Sequence, residues 1–286
     1  MQQFGFYACT DTRLGADMKT SVSLSLFETD KSAPVLFRGN IENNIPLIRE
    51  IGYEGVDLFV DDPQAPASRR AIGLLGRYGL ETGVVMPAAL AKKGLFLGAR
   101  EKAVREEIIT RMKEIIAYAS EVNGMVSLGL VRGSVEDGSG YEEFFKRFAG
   151  SIEKLLPFSG SHGVTLVIEP INRYETNTLN SSEEAYRFIE KTGLPVFLML
   201  DTFHMNIEDR SIGESLNLCR DKIRHIHFLD SNRLAPGMGH LDMVEIYRIL
   251  EKNGYQGFLC LEALAKPDGE TCARNGMEFF KKTGLM

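Results

Sequence analysis

A closed (β/α)₈ barrel is the fold class this sequence predicts, and three observations carry that expectation. Eight short runs of aliphatic and β-branched residues recur along 286 residues, a length that suits one α/β barrel of about 250 residues. Segments of helical period separate them, the pattern of buried parallel strands joined by crossover helices. The last four runs close on, or contain, a carboxylate or a histidine, and parallel barrels collect their chemistry at the carboxyl ends of strands.

The expected strands are Ser21 to Phe27, Gly55 to Val60, Glu81 to Met86, Met125 to Val131, Val164 to Glu169, Phe197 to Asp201, His225 to Leu229 and Phe258 to Glu262. The first helix is expected over Glu42 to Ile51. Between the third and fourth strands, Val104, Ile108, Met112, Ile115 and Ala119 recur every three or four residues, giving one apolar face on an otherwise charged helix. Phe144, Phe148, Ile152 and Leu155 make a similar stripe, as do Met243, Ile246, Tyr247 and Leu250. An open doubly wound sheet is the alternative, but no GxGxxG follows the first strand and no GxxxxGK[ST] occurs. Phe4 to Ala8 is one strand too many for eight repeats. Residues 1–17 are therefore read as an N-terminal extension and 18–286 as a single catalytic barrel.

Composition narrows the function. Thirty-three basic against thirty-nine acidic residues leave a formal charge of −6, and no block of lysine or arginine is present to neutralise a nucleic-acid backbone. Cys9, Cys219, Cys260 and Cys272 show no CxxC spacing, which suits reduced thiols in a cytoplasmic protein. No apolar run approaches the roughly 20 residues of a membrane span.

The strand ends supply the chemistry. Glu169 closes the fifth strand, Asp201 the sixth and Glu262 the eighth, while His225 and His227 lie on one face of the seventh. Three carboxylates and an imidazole from consecutive strands suit a divalent ion such as Mn²⁺, Mg²⁺ or Co²⁺ better than a structural zinc. The bland alternative for each carboxylate is the N-cap of the following helix. His225 reads as a supporting histidine, and His162 and His240 as loop residues.

Glu169-Pro-Ile-Asn-Arg-Tyr-Glu175, Leu200-Asp-Thr-Phe-His-Met-Asn-Ile-Glu208 and His225-Ile-His-Phe-Leu-Asp-Ser-Asn-Arg233 resemble the xylose isomerase-like barrels of the D-tagatose and D-psicose 3-epimerase family. Gly237-Met-Gly-His-Leu-Asp242 and Leu261-Glu262 extend the likeness, which runs from about residue 164 to 263. The resemblance implies a metal-dependent epimerase working through an enediolate. It further implies Glu169, Asp201, His227 and Glu262 as metal ligands, with Glu169 and Glu262 doubling as acid and base. Glu175, His204 and Arg233 would contact the substrate, His204 from a loop above the sixth strand. Mn²⁺ is the first choice of cofactor, with Co²⁺, Mg²⁺ or Zn²⁺ as alternatives, and a homodimer or homotetramer is implied.

The sequence departs from family members acting on free ketohexoses in having no tryptophan. After the expected fourth strand it reads Leu128-Gly-Leu-Val-Arg132-Gly133-Ser134. A guanidinium there is expected to bind a substrate carboxylate or phosphate, which would admit a keto-sugar acid beside a neutral ketose. The competing enzyme readings are aldose–ketose isomerisation of the hydroxypyruvate isomerase type and dehydration of a cyclic polyol. Nucleic-acid hydrolysis on a metal cluster is disfavoured, since the chain has only five histidines and a negative charge.

Overall fold

A computed structural model describes residues 18–135 and 140–285. The expected extension, residues 1–17, lies outside them. The described chain opens directly on strand β1, Lys19–Ser25, followed by the two-residue β2, Phe37–Arg38. The remaining strands are β3 (Gly55–Phe59), β4 (Glu81–Met86), β5 (Met125–Ser127), β6 (Leu166–Ile168), β7 (Phe197–Asp201), β8 (Ile223–His227) and β9 (Phe258–Leu261). All pairings are parallel. Eight strands form the barrel in the order β1, β3 to β9, and Lys19↔Phe258 through Val22↔Leu261 close it. β2 adds only Leu24↔Phe37 and Ser25↔Arg38 at the end of β1.

Helices cover the outside: α1 (Ile41–Ile51), α2 (Pro66–Tyr78), the short α3 (Ala88–Lys92), α4 (Lys102–Glu121), α5 (Tyr141–Ser161), α6 (Ser182–Thr192), α7 (Thr202–Glu208), α8 (Ile212–Cys219), α9 (Met243–Lys252) and α10 (Gly269–Thr283). The three stripes expected from the sequence lie on α4, α5 and α9, and every member of them but Val104 is buried. That burial, not helix propensity, supplies most of what holds such helices in place.

Alternation along the strands sorts side chains between two interiors. Val22 and Leu24 on β1, Val56 and Leu58 on β3 and Ile226 on β8 join the main core between sheet and helices. The opposite face of those strands carries Ser21, Ser23, Ser25, Asp57, His225 and His227, all fully buried inside the barrel. Phe59, Val84, Met86, Val167 and Met199 form a second, smaller apolar cluster.

Strand ends differ from expectation in an informative way. The fourth expected strand stops at Ser127, because Gly129 leaves the extended region and Leu130–Arg132 coil into a 3₁₀ turn. Ser127 Oγ accepts from Gly129 N at 3.1 Å, and a side chain at 129 would meet Glu169 Oε2 at 2.8 Å. The chain turns there to leave room for a carboxylate.

Candidate active site at the carboxyl end of the barrel

Glu169 follows β6 directly, Asp201 and His227 end β7 and β8, and Glu262 follows β9. All four are buried, and one ligand atom from each lies within 4.8 Å of every other. His227 Nδ1 is 3.3 Å from Glu169 Oε1, 3.7 Å from Glu262 Oε2 and 3.8 Å from Asp201 Oδ2. Glu169 Oε1, Asp201 Oδ2 and His227 Nδ1 are buried without a hydrogen-bond partner among the described residues. Buried polar atoms are ordinarily satisfied. Three unpaired atoms converging on one point, with oxygen and imidazole donors, fit a divalent cation.

Asp201 shows that capping and ligation are compatible. Its Oδ1 accepts from Phe203 N at 2.7 Å at the start of α7, which leaves Oδ2 for the cluster. Burial would raise this carboxyl, but His204, His227 and Arg233 outweigh it and hold it down at about 2. Glu262 goes the other way. Burial and the neighbouring Glu169 and Asp201 push it up to about 8, although His227 and Arg233 pull against them. Burial would lower His227, yet Glu262, Asp201, Asp57 and Glu169 raise it well above the ordinary histidine range.

The remaining expected contacts line one cavity of about 250 Å³ with Glu169 and Glu262. Arg233 has φ +59°, and its backbone N–H donates to Asp230 O while Leu264 N donates to its carbonyl. Asp230 in turn accepts from Ser231 N, Gly237 N and Leu241 N, tying down the 231–241 loop. So held, Arg233 donates to Glu175 Oε1 and Glu262 Oε2, both at 3.0 Å, and sits 5.1 Å from the Phe203 ring centre. His204 lies on α7 and not in a loop, and it is buried with Nε2 3.7 Å from Asp201 Oδ2. Phe27, Val35, Phe59, Met86, Leu130 and Ile171 make the walls apolar.

Arg132 corrects the expectation placed on it. Its side chain is 1% exposed and donates inward: Nη1 to Glu169 O at 2.7 Å and Gly129 O at 3.0 Å, Nη2 to Thr178 O at 2.7 Å, and Nε to Thr178 Oγ1 at 3.2 Å. Its donors are committed to the protein, so it knits the β5, β6 and 170–180 segments together and is not free to bind a substrate anion. Burial brings its guanidinium down to about 10, against the pull of Glu169 and Glu184, so it stays charged at neutral pH.

Two residues of the site escaped the sequence reading. Asn172 Nδ2 contacts both His204 Nδ1 and Glu175 Oε1, and it lay unweighted within the quoted Glu169–Glu175 stretch. Asp57 lies inside the barrel against His225 and His227, marked in the sequence only as a lone carboxylate within an apolar strand. His162 stacks on Phe158 at 4.1 Å, remote from the cavity, as a loop histidine would.

The xylose isomerase-like TIM barrel family model matches residues 45–283. An L-ribulose 3-epimerase from Mesorhizobium japonicum is 30% identical over 234 residues, covering 80% of this chain and 77% of the relative. A D-psicose 3-epimerase from Enterocloster bolteae is 40% identical over 107 residues, 37% of this chain and 36% of that one. The solved structure of an L-ribulose 3-epimerase superposes with a TM-score of 0.80 at 24% identity, covering 94% of each chain. The chain belongs to the xylose isomerase-like TIM barrel family, where its similar relatives include L-ribulose and D-psicose 3-epimerases.

Proposed function

We propose that this chain is a divalent-metal-dependent ketose epimerase that removes and returns a proton at the carbon beside the substrate carbonyl. The observation that carries the reading is the convergence of unpaired Glu169 Oε1, Asp201 Oδ2 and His227 Nδ1, with Glu262 beside them. Those four residues would hold the ion, with Mn²⁺ the first candidate and Co²⁺, Mg²⁺ or Zn²⁺ the alternatives. When bound, it would supply Lewis-acid stabilisation of the negative charge left by deprotonation.

The chain's own groups would do the rest. Glu169 and Glu262 stand at the two ends of the β6 to β9 arc, so they can approach a substrate from different sides. Epimerisation needs one carboxylate to take the proton and the other to deliver one to the opposite face. Arg233 and the Nε2–H of His204 would donate to substrate oxygens, and Glu175 would accept from a hydroxyl. The apolar walls would exclude water from the reactive carbon.

With Arg132 committed to acceptors of the protein itself, the reason for admitting a keto-sugar acid beside a neutral ketose is gone, and a small neutral ketose is favoured. L-ribulose and D-psicose, named for the relatives, head the substrate panel. A reducing, cytoplasmic setting accords with buried free Cys219, Cys260 and Cys272, and a homodimer or homotetramer follows from the family resemblance. No helix among the described residues is long and apolar enough to cross a membrane.

The test is NMR detection of deuterium uptake from D₂O with metal-depleted and Mn²⁺-reconstituted protein, across neutral ketopentoses, ketohexoses, keto-hexuronates and ketose phosphates. Metal-dependent exchange at C3 with accumulation of the epimer is expected. Exchange at C1 or C2 with aldose formation would replace epimerisation by isomerisation, and no exchange in any sugar would overturn both.

A further inference from the structure

The interior of a closed barrel is normally filled by layers of bulky aliphatic side chains, yet just beneath the four-residue cluster this barrel carries a polar layer. Asp57, from the middle of β3, is fully buried, and its Oδ2 lies 2.6 Å from His225 Nε2 and 3.2 Å from His227 Nε2 on β8. Its Oδ1 is 3.3 Å from Val84 N. Opposite, on β4, Gly83 leaves the space the carboxylate needs: a Cβ there would stand 2.5 Å from Asp57 Oδ1 and 2.8 Å from His225 Cε1. A buried carboxylate is expensive without partners, and nothing in barrel packing alone asks for one here.

We infer that Asp57 is the positioning residue of the site: it fixes His227 as the Nε2–H tautomer and aims the Nδ1 lone pair at Glu169, Asp201 and Glu262. This rests on the metal reading of that cluster. A neutral imidazole carries one N–H and one lone pair. A carboxylate at Nε2 assigns the proton to that nitrogen, so Nδ1 is left as the donor, and the carboxylate also makes the imidazole more basic. Among the described residues His227 Nδ1 has no hydrogen-bond partner, as this division of labour requires. His225, bonded to the same Oδ2, locks the carboxylate's rotamer from the other side. The fit is closed by a glycine, so the layer is built around Asp57.

Two measurements on the full chain test it. Competition of Mn²⁺ against a fluorescent chelator is expected to show affinity falling about 10–100-fold in Asp57→Asn. His225→Gln, which frees the carboxylate but leaves its bond to His227, should lose less than Asp57→Asn. Long-range ¹⁵N NMR of the wild-type chain loaded with diamagnetic Zn²⁺ should show His227 protonated at Nε2 and bound through Nδ1, a readout that needs no variant. Zn²⁺ bound through Nε2, or a folded Asp57→Asn with Mn²⁺ affinity within about twofold of wild type, would overturn the inference while leaving the metal site standing. Failure of wild type to bind either ion would overturn the metal reading and this inference with it.

Discussion

Asn172 Nδ2 donates to Nδ1 of His204 at 2.7 Å, and the same amide reaches Glu175 Oε1 at 3.1 Å. The amide's orientation is fixed independently, because Asn172 Oδ1 accepts from Tyr174 N at 2.9 Å. With Nδ1 accepting, the proton of a neutral His204 sits on Nε2, the nitrogen that faces Asp201 and the cavity. One side chain thus sets the donor direction of His204 and the place of Glu175, which also receives Arg233.

Asn172→Asp should therefore be damaging although it is nearly isosteric. An acceptor opposite Nδ1 would draw the His204 proton away from the cavity and place a second negative charge beside Glu175. A fall in kcat/KM of about 10–100-fold is expected, of the size seen when a supporting hydrogen bond to a site histidine is lost. Steady-state kinetics with the best ketose checks it, and unchanged kcat/KM would remove Asn172 from the site's machinery.

Arg132 invites a different substitution. Arg132→Met leaves the carbonyls of Glu169 and Thr178 without the donors they now have, while Gly129 O keeps the backbone N–H of residue 132. Each buried orphan costs about 1–3 kcal/mol, so a loss of several kcal/mol in denaturant unfolding is expected. Arg132→Lys should recover only part of it, since one ammonium cannot reproduce a planar fork. Because Glu169 is anchored through its own carbonyl, kcat should fall equally for neutral and acidic sugars. A selective rise in KM for acidic sugars alone would return Arg132 to the substrate.

The barrel was legible in the sequence because its strands are written locally, as continuous apolar runs or clear alternations, and the carboxylates Glu169, Asp201 and Glu262 stand at the ends of three of them. The choice of His227 over His225 came from the family resemblance and not from the strand pattern. What was not legible depends on long-range contact. Arg132 and a surface arginine look alike in sequence, and only the approach of Glu169 and the 170–180 segment beside β5 supplies most of the acceptors that absorb its donors. Asp57 and His227 are 170 residues apart and meet only through barrel closure. The strand-end errors at Ser127 and Ser25 arise from side-chain oxygens and a glycine that turn the chain early, effects that apolar periodicity does not register.

If Glu169 and Glu262 serve opposite faces, removing one should separate exchange from epimerisation. Glu262→Gln is expected to lower epimer formation by at least about 10²-fold while the remaining carboxylate still exchanges deuterium into the one epimer presenting its proton to that side. Glu169→Gln should show the mirror preference, and both variants should also bind the ion more weakly because each residue is a proposed ligand. Substrate and product NMR in D₂O read both rates at once. Equal losses of exchange from both epimers in each variant would argue for one carboxylate doing both transfers.

The same carboxylates make metal and proton competitors. In the metal-free chain Glu262 is pushed from 4.5 up to about 8 by burial and its carboxylate neighbours. His227 is raised above 6.5 because those carboxylates overcome its burial. Both groups bind protons more tightly folded than unfolded, so the stability they contribute is complete below their unfolded values and is lost as pH rises through the folded ones. For Glu262 that window runs from 4.5 to about 8. Asp57 and Asp201 have the opposite sign but act only below 3.8, outside it. A divalent ion replaces the missing protons, since ligands must be deprotonated to coordinate. The thermal midpoint of chelator-treated protein should therefore fall as pH rises from about 4.5 to about 8, while the Mn²⁺-saturated protein stays level or gains. Calorimetric titration at neutral pH in two buffers of different ionisation enthalpy should show at least one proton released per ion. A flat midpoint in the metal-free protein together with no proton release would mean that His227 and Glu262 are not protonated when the ion is absent, and that the cluster is held by charges other than those four residues supply.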